Sequence, residues 1–478
     1  MSATSTGSPP RPAEDSDVGP GPDRIEVRDP WTGRPVGSVD VQRGPAVDRA
    51  VGRAHAAAEG WARTAPADRA ACVRRLADLV EAAAEELAHL QTAQMGKPFA
   101  ASRGGVAAGV AALRQYAELG PLHRGRALQG STDAIDLMAH VPRGVAAVIT
   151  PWNDPVAIVC QLVGANLVVG NTVVLKPSER TPLDGLRFAA LAAEVLPSGV
   201  LEAVTGDGAT GAELASDPRV DVVAMVGSAP VGRSVALECA ARGAHAVLEL
   251  GGNDALVVDA DVDPAWAAEQ AAIGAFTGSG QICTSVERIY VHERIADRFV
   301  DALVGEAHRW RVGDPNDART RLGPLVDERH VDHVHEHVSA AVRDRAHVEV
   351  GGHPIPGPGC GYPATVLVHV GDDMLVMREE TFGPVAPVRV VDSFEEALCR
   401  AGDSTYGLAA TILTADADRA RAAWRDLPAG TVKVNDVFGG APGGAATPLR
   451  RSGHGFGYGP ELLDELAATR VLHVGPAR

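Results

Sequence analysis

One thiol in this chain stands where nothing large would pack around it. In FTGSGQICTS (276–285), Cys283 follows Gly278 and Gly280 and has Ser and Thr for neighbours. Most cysteines are small buried hydrophobes. Glycines at this spacing let backbone approach a ligand and leave the sulfur reachable, which makes Cys283 a candidate nucleophile. Attack of a thiolate on a carbonyl needs donors for the oxygen that becomes negative. PWNDP (151–155) offers the side-chain amide of Asn153, to act with a backbone N–H beside the sulfur. The other reading of Asn153 is a cap for the helix that follows. Glu249, in LELGG at the end of an apolar strand, is costly to bury unless paired or used. It is either a general base or the partner of an arginine.

These groups are far apart along the chain, so the elements between them must bring them together. From Val145 onward, β-branched runs at 145–149, 172–175, 201–204, 221–226 and 246–250 alternate with helical patterns such as TPLDGLRFAALAAEVL. That alternation predicts βαβ units, a parallel sheet and a nucleotide-type α/β domain. A second α/β series follows Gly252, with ALVV, RIYVH, HVEV, TVLVHV, VAPVRVV, AATILT and GTVKVN. Residues 45–120 are Ala-rich with apolar residues at helical intervals and predict a helical layer on the first sheet.

A chain of 478 residues with 45% hydrophobic content is long enough for two or three domains. The net charge of −17 is spread without long acidic runs, which excludes nucleic acid and an anionic membrane surface as expected partners. There is no apolar run of spanning length, and the polar, Pro-rich start (1–24) reads as a disordered tail rather than a signal peptide, so the expected compartment is the cytoplasm. Six scattered cysteines without CxxC spacing predict neither a disulfide framework nor a zinc knuckle. Only Lys97, Lys176 and Lys433 are lysines among 44 basic residues, so each either marks a place needing a slim ammonium or is chance. The helix DERHVDHVHEH places His330, His333 and His337 on one face; a solvated surface is expected there, and no metal site.

Taken in order, ITPWN (149–153), LKPSERTPL (175–183), VGSAPVG (226–232), LELGG (248–252), GQIC (280–283), EETFGPV (379–385) and YGLAA (406–410) resemble the aldehyde dehydrogenase superfamily, non-acylating type. The likeness runs from DPWTGRPVG (29–37) to GTVKVN (430–435). It implies two doubly wound α/β domains, one Rossmann-like for the cofactor and one catalytic, plus a small β oligomerisation element. The implied ranges are 25–120 with 143–250 for the NAD-binding domain, 251–459 for the catalytic domain, and 121–142 with 460–478 for the oligomerisation element of a homodimer or homotetramer. By resemblance, Cys283 attacks a small-molecule aldehyde, Asn153 holds the oxyanion and Glu249 activates the water that hydrolyses the thioester. The same likeness assigns Trp152, Lys176, Glu179, Gly227, Ser228, Leu250, Glu380 and Phe382 to the cofactor. A carboxylate at Glu179 accepts from a ribose 2′-OH and repels a 2′-phosphate, so NAD is expected over NADP.

Several positions depart from the superfamily pattern. Asp154 follows Asn153 where an aromatic residue is usual, and either lines the substrate tunnel, favouring an amino- or hydroxy-aldehyde, or caps the next helix. Asp436 is a second acidic candidate for the tunnel mouth. Asn253, Val226 and Gly278 replace a usual Lys, Thr and Asn. The C-terminal segment TPLRRSGHGFGYG (447–459) is rewritten, which leaves substrate and assembly open. Glu249 argues against the CoA-acylating alternative, and the intact Cys283, Asn153 and Glu249 argue against a silent binding or structural protein. A thiol esterase using Cys283 and Glu249 without redox is the remaining alternative.

Overall fold

The structure, a computed structural model, describes residues 23–440 and 444–477. Most of the expected tail therefore lies outside the described residues, but Arg24 does not belong to it. It opens the strand Arg24–Arg28, which pairs antiparallel with Pro35–Asp40.

The five predicted β-branched runs form one sheet. From one edge its order is Leu201–Ala203, Thr172–Lys176, Val145–Ile149, Val222–Gly227, His245–Leu250 and the short Gly453–His454. The first five are parallel, and only Gly453–His454 runs antiparallel, opposite Glu249 and Leu248. Val145–Ile149 and Thr172–Lys176 are buried along their whole length, as strands covered on both faces must be. Strand order reverses on either side of Val145–Ile149, and such a switch point opens a crevice at the carboxyl ends of the strands. Trp152 and Asn153 follow that strand directly. The Ala-rich segment forms the helices Pro45–Arg63, Pro66–Ala82, Ala84–Met95 and Phe99–Leu119. Their apolar faces join the core under this sheet.

The second series forms a seven-stranded sheet in the order His347–Val350, Thr365–Val368, Val385–Val391, Val286–His292, Asp254–Val258, Ala409–Leu413 and Thr431–Val434. Only the first pair is antiparallel. Here the order reverses beside Asp254–Val258, so Cys283, just before Val286–His292, sits at this sheet's own switch region. The rewritten C-terminal segment crosses back to the first sheet at Gly453–His454.

A three-stranded antiparallel sheet, Arg126–Leu128, Ile135–Pro142 and Ala467–Val474, occupies the range expected for oligomerisation. Its C-terminal strand pairs with Ile135–Pro142 of the same chain, from Ala467 opposite Pro142 to Val474 opposite Ile135. Ile135, Val471, Leu472 and Val474 are exposed on it. No helix among the described residues is long and apolar enough to cross a membrane.

Candidate active site

The loop that carries Cys283 is built from unusual backbone. The helix Pro264–Phe276 stops, and Gly278, Ser279 and Gly280 follow with φ of 60°, 61° and 70°. Gly280 admits no side chain, because a Cβ there would lie 2.1 Å from the Gly383 carbonyl oxygen. Ser279 accepts its left-handed conformation while its Oγ donates to the Gly323 carbonyl at 2.8 Å. Gln281 is buried and accepts from the Val326 N–H through Oε1 at 3.0 Å. These anchors deliver a free, half-buried thiol at Cys283. Burial pushes that thiol up to about 12, the carboxylates of Glu249, Asp254 and Glu380 add to the rise, and Lys433 opposes it. The resting sulfur is therefore protonated.

Asn153 is tied to the same loop. Its Nδ2 donates to the Gln281 carbonyl at 3.0 Å, and a carboxamide nitrogen has a second N–H to give. The N-cap position of the helix Pro155–Val169 belongs to Asp154, and its side chain makes no capping bond. Both capping alternatives are thus overturned by geometry. Asp154 instead forms an ion pair with Lys97 Nζ at 3.1 Å and accepts from Gln91 Nε2 at 3.2 Å, so its charge is balanced. Asp436, exposed just beyond the strand Thr431–Val434, accepts from the Phe438 N–H at 3.2 Å and lies in the field of Lys433.

Glu249 is the penultimate residue of its strand and has no arginine partner among the described residues. Its Oε1 accepts from the Gly457 N–H at 3.1 Å, and a Cβ at position 457 would come 1.9 Å from Glu249 Cγ. Burial pushes this carboxyl up to about 7. The rewritten segment, expected to bear on substrate and assembly, therefore packs against the candidate base. Its Arg451 also reaches Glu379 at 3.4 Å.

A cleft of about 550 Å³ opens at the switch point of the first sheet. Trp152, Lys176, Glu179, Gly227 and Ser228 line it, as expected for cofactor residues, and Val226 lines it too. Lys176 is buried, pairs with Glu179 at 3.6 Å and donates to the Pro177 carbonyl at 3.2 Å; burial lowers its pKa. Thr150, also in the wall, has a buried hydroxyl with no partner. The helix Ala229–Arg242 starts here, and Ser228 leaves its first turn without a side-chain cap. A dinucleotide fits these features: the uncapped helix start suits a pyrophosphate, and Thr150, Lys176 and Glu179 offer polar groups to a ribose. Leu250 is buried in the core beneath that helix rather than in the cleft wall.

Glu380 and Phe382 approach from the other sheet. Glu380 Oε1 accepts from the Gly252 N–H at 3.0 Å, and burial raises its pKa well above the usual carboxylate range. Phe382 meets Trp152 edge-on at 5.4 Å, and Arg180 lies 5.1 Å over the other side of that indole. The solvated histidine face is corrected in part: His333 is exposed as expected, whereas His330 and His337 are only 7% and 4% exposed. They sit with Val334, Val338 and Ala341 on the inward face of the helix Glu328–Arg343, a spacing that serves a core as readily as a surface. Sequence reasoning also missed Glu287, buried on the strand Val286–His292. It accepts from Asn253 Nδ2, the Thr381 N–H and the Phe382 N–H at 3.1, 3.0 and 2.7 Å. Its position after a short Ser/Val run gave no signal. A separate cluster of His123, His140 and Asp464 lies at the three-stranded sheet. Its two imidazoles stack at 4.2 Å, with Nε2 of His123 and of His140 at 2.8 and 4.0 Å from the same Asp464 Oδ1.

Comparison with known proteins gives the following. A family model described as "Aldehyde dehydrogenase family" matches residues 18–472. The betaine aldehyde dehydrogenase of Cereibacter sphaeroides (strain ATCC 17029) is 36% identical over 475 residues, covering 97% of this chain and 96% of that protein. The NADP/NAD-dependent aldehyde dehydrogenase PuuC of Escherichia coli K12 is 37% identical, covering 94% of this chain and 92% of its own. A solved structure of a lactaldehyde dehydrogenase superposes with a TM-score of 0.92 at 32% identity, covering 96% of this chain and 97% of that one.

Proposed function

The chain belongs to the aldehyde dehydrogenase family of NAD(P)-dependent enzymes, and on that premise we propose that it oxidises a polar aldehyde to the carboxylic acid through a covalent adduct on Cys283. One observation carries this reading: the half-buried Glu249, held by the Gly457 N–H and without a cationic partner among the described residues, lies in the field of the Cys283 sulfur and has its pKa raised to about 7.

The resting thiol must first lose its proton, and Glu249 is the acceptor poised for it. The sulfur then bonds to the aldehyde carbon. The oxygen that gains the charge is held by the second N–H of Asn153 and the backbone N–H of Cys283. The bound dinucleotide supplies the hydride acceptor. With hydride gone, a thioester remains on Cys283. Glu249, having passed the thiol's proton to solvent, takes a proton from water, the water oxygen adds to the thioester carbon, the C–S bond breaks, the sulfur takes the proton from Glu249 and the acid leaves. Coenzyme A is not required.

NAD is the favoured cofactor, because Glu179 offers a carboxylate to a 2′-OH and would repel a 2′-phosphate. The name of the PuuC relative includes both cofactors, so that choice rests on Glu179 alone. For the substrate, the Lys97–Asp154 pair beside Asn153 is polar and balanced in charge, which favours a hydroxylated aldehyde over a cationic one. The exposed apolar residues of the three-stranded sheet favour a homodimer or homotetramer built through it. As the test of the mechanism, Cys283→Ala should abolish NADH formation and leave NAD binding by calorimetry within twofold. NADH formation at more than a few per cent of the parental rate in that variant would exclude the sulfur as nucleophile.

A further inference from the structure

The turn Glu380–Thr381–Phe382 is strained and needs to be held. Phe382 has φ of 52°, a left-handed conformation that costs an aromatic residue free energy. From below, Glu287 receives the N–H groups of Thr381 and Phe382. From above, the helix Glu328–Arg343 sets one imidazole on each residue of the turn. His333 Nε2 reaches the Glu380 carbonyl at 3.2 Å, His337 Nδ1 the Thr381 hydroxyl at 3.0 Å, and His330 Nε2 the Phe382 carbonyl at 2.7 Å. Contact at carbonyl oxygens makes His330 and His333 donors through Nε2. Three successive residues are thus matched by three histidines at i, i+3 and i+7, which a helix presents on one face.

We propose that His330, His333 and His337 are positioning residues for the nicotinamide half of the cofactor, acting through the turn that carries Glu380 and Phe382. This rests on the cofactor reading of that turn. None of the three need touch the reacting atoms; their task is to fix the carboxylate of Glu380 and the ring of Phe382 before the cofactor arrives, which avoids ordering the turn on binding.

The surroundings keep His330 and His337 neutral. His330 faces Arg180, Asp327, His333, Trp152 and Phe382; His337 faces His333, His330, Glu336 and Thr381, and Glu287 lies across the turn from both. Burial, aided by Arg180 and the neighbouring histidines, holds His330 and His337 down to about 4. An imidazole released from the clamp titrates near its ordinary value, so the open turn takes up protons that the closed turn refuses. Cofactor binding that requires the closed turn is therefore intact above that ordinary value and weakens as pH falls through the window down to about 4.

The test uses the whole enzyme without aldehyde, and NAD binding measured by calorimetry at pH 7.5 and pH 5.5. His330→Ala and His337→Ala should each raise Kd for NAD about fivefold at pH 7.5, the worth of one buried hydrogen bond, while separate steady-state kinetics find aldehyde KM unchanged. His330→Gln and His337→Asn place an amide N–H near the same atom and do not ionise. They should restore binding at pH 7.5 and show a smaller rise in Kd at pH 5.5 than the parent does. If the parent binds NAD and the alanine variants, still folded by melting, bind it equally well, the clamp is overturned while the cofactor reading stands. Failure of the parent to bind any dinucleotide overturns both.

Discussion

In the proposed mechanism, Glu249 sets the working pH range. A carboxyl raised to about 7 by burial is ionised, and so able to accept a proton, only at or above neutral pH. The thioester-hydrolysis rate should therefore climb about tenfold per pH unit below 7 and level off above it, as read by steady-state kcat between pH 5.5 and 9. A flat profile would mean that another group takes the proton from water. At this scale the sequence was informative where a residue's neighbours were themselves unusual. The glycines around Cys283 and the LELGG strand end singled out two side chains that the structure sets in one another's electrostatic field. Asp154 was not legible, because the charge that balances it comes from Lys97, which is 57 positions away and belongs to a different helix-flanking loop. Lys433 was noticed only for its rarity. Its place near Cys283 depends on strand pairing opposite Thr411, which no local pattern encodes.

At the scale of elements, the strands were readable because parallel strands are apolar on both faces. The runs at 145–149 and 246–250 fall on Val145–Ile149 and His245–Leu250 with at most one residue of difference. Loops were harder, since their shape is set by contacts across the molecule. The loop that carries Cys283 is the case in point: Gly280 is left-handed and abuts Gly383, which follows Phe382, so the two loops are fitted to each other. Gly280→Ala introduces a Cβ against backbone that cannot yield as a side chain would. It should lower kcat/KM by about 100-fold, the scale of an ångström's misplacement, while melting falls by only a few degrees. Unchanged kcat/KM in that variant would show that the loop is not held by this contact. The histidine face of Glu328–Arg343 was misassigned for a related reason, because helical spacing states which residues share a face and not whether that face looks inward.

Across the whole molecule, the proposed centre belongs to neither sheet alone. Asn153 lies just beyond one strand of the six-stranded sheet and Glu249 near the end of another, Cys283 precedes a strand of the seven-stranded one, and the segment after Leu449 returns from the second to hold Glu249 through Gly457. The family assignment was legible in the order of motifs, but this crossing was not, since the returning segment is the one most rewritten. The claim that these groups serve one carbon is tested most directly by mixing the Glu249→Gln enzyme rapidly with NAD and a hydroxy-aldehyde. The outcome predicted is a burst of about one equivalent of NADH per active site, then a stall, with intact-mass analysis finding an acyl group on Cys283. Continued turnover at the parental rate, or a burst that leaves Cys283 unmodified, would contradict it.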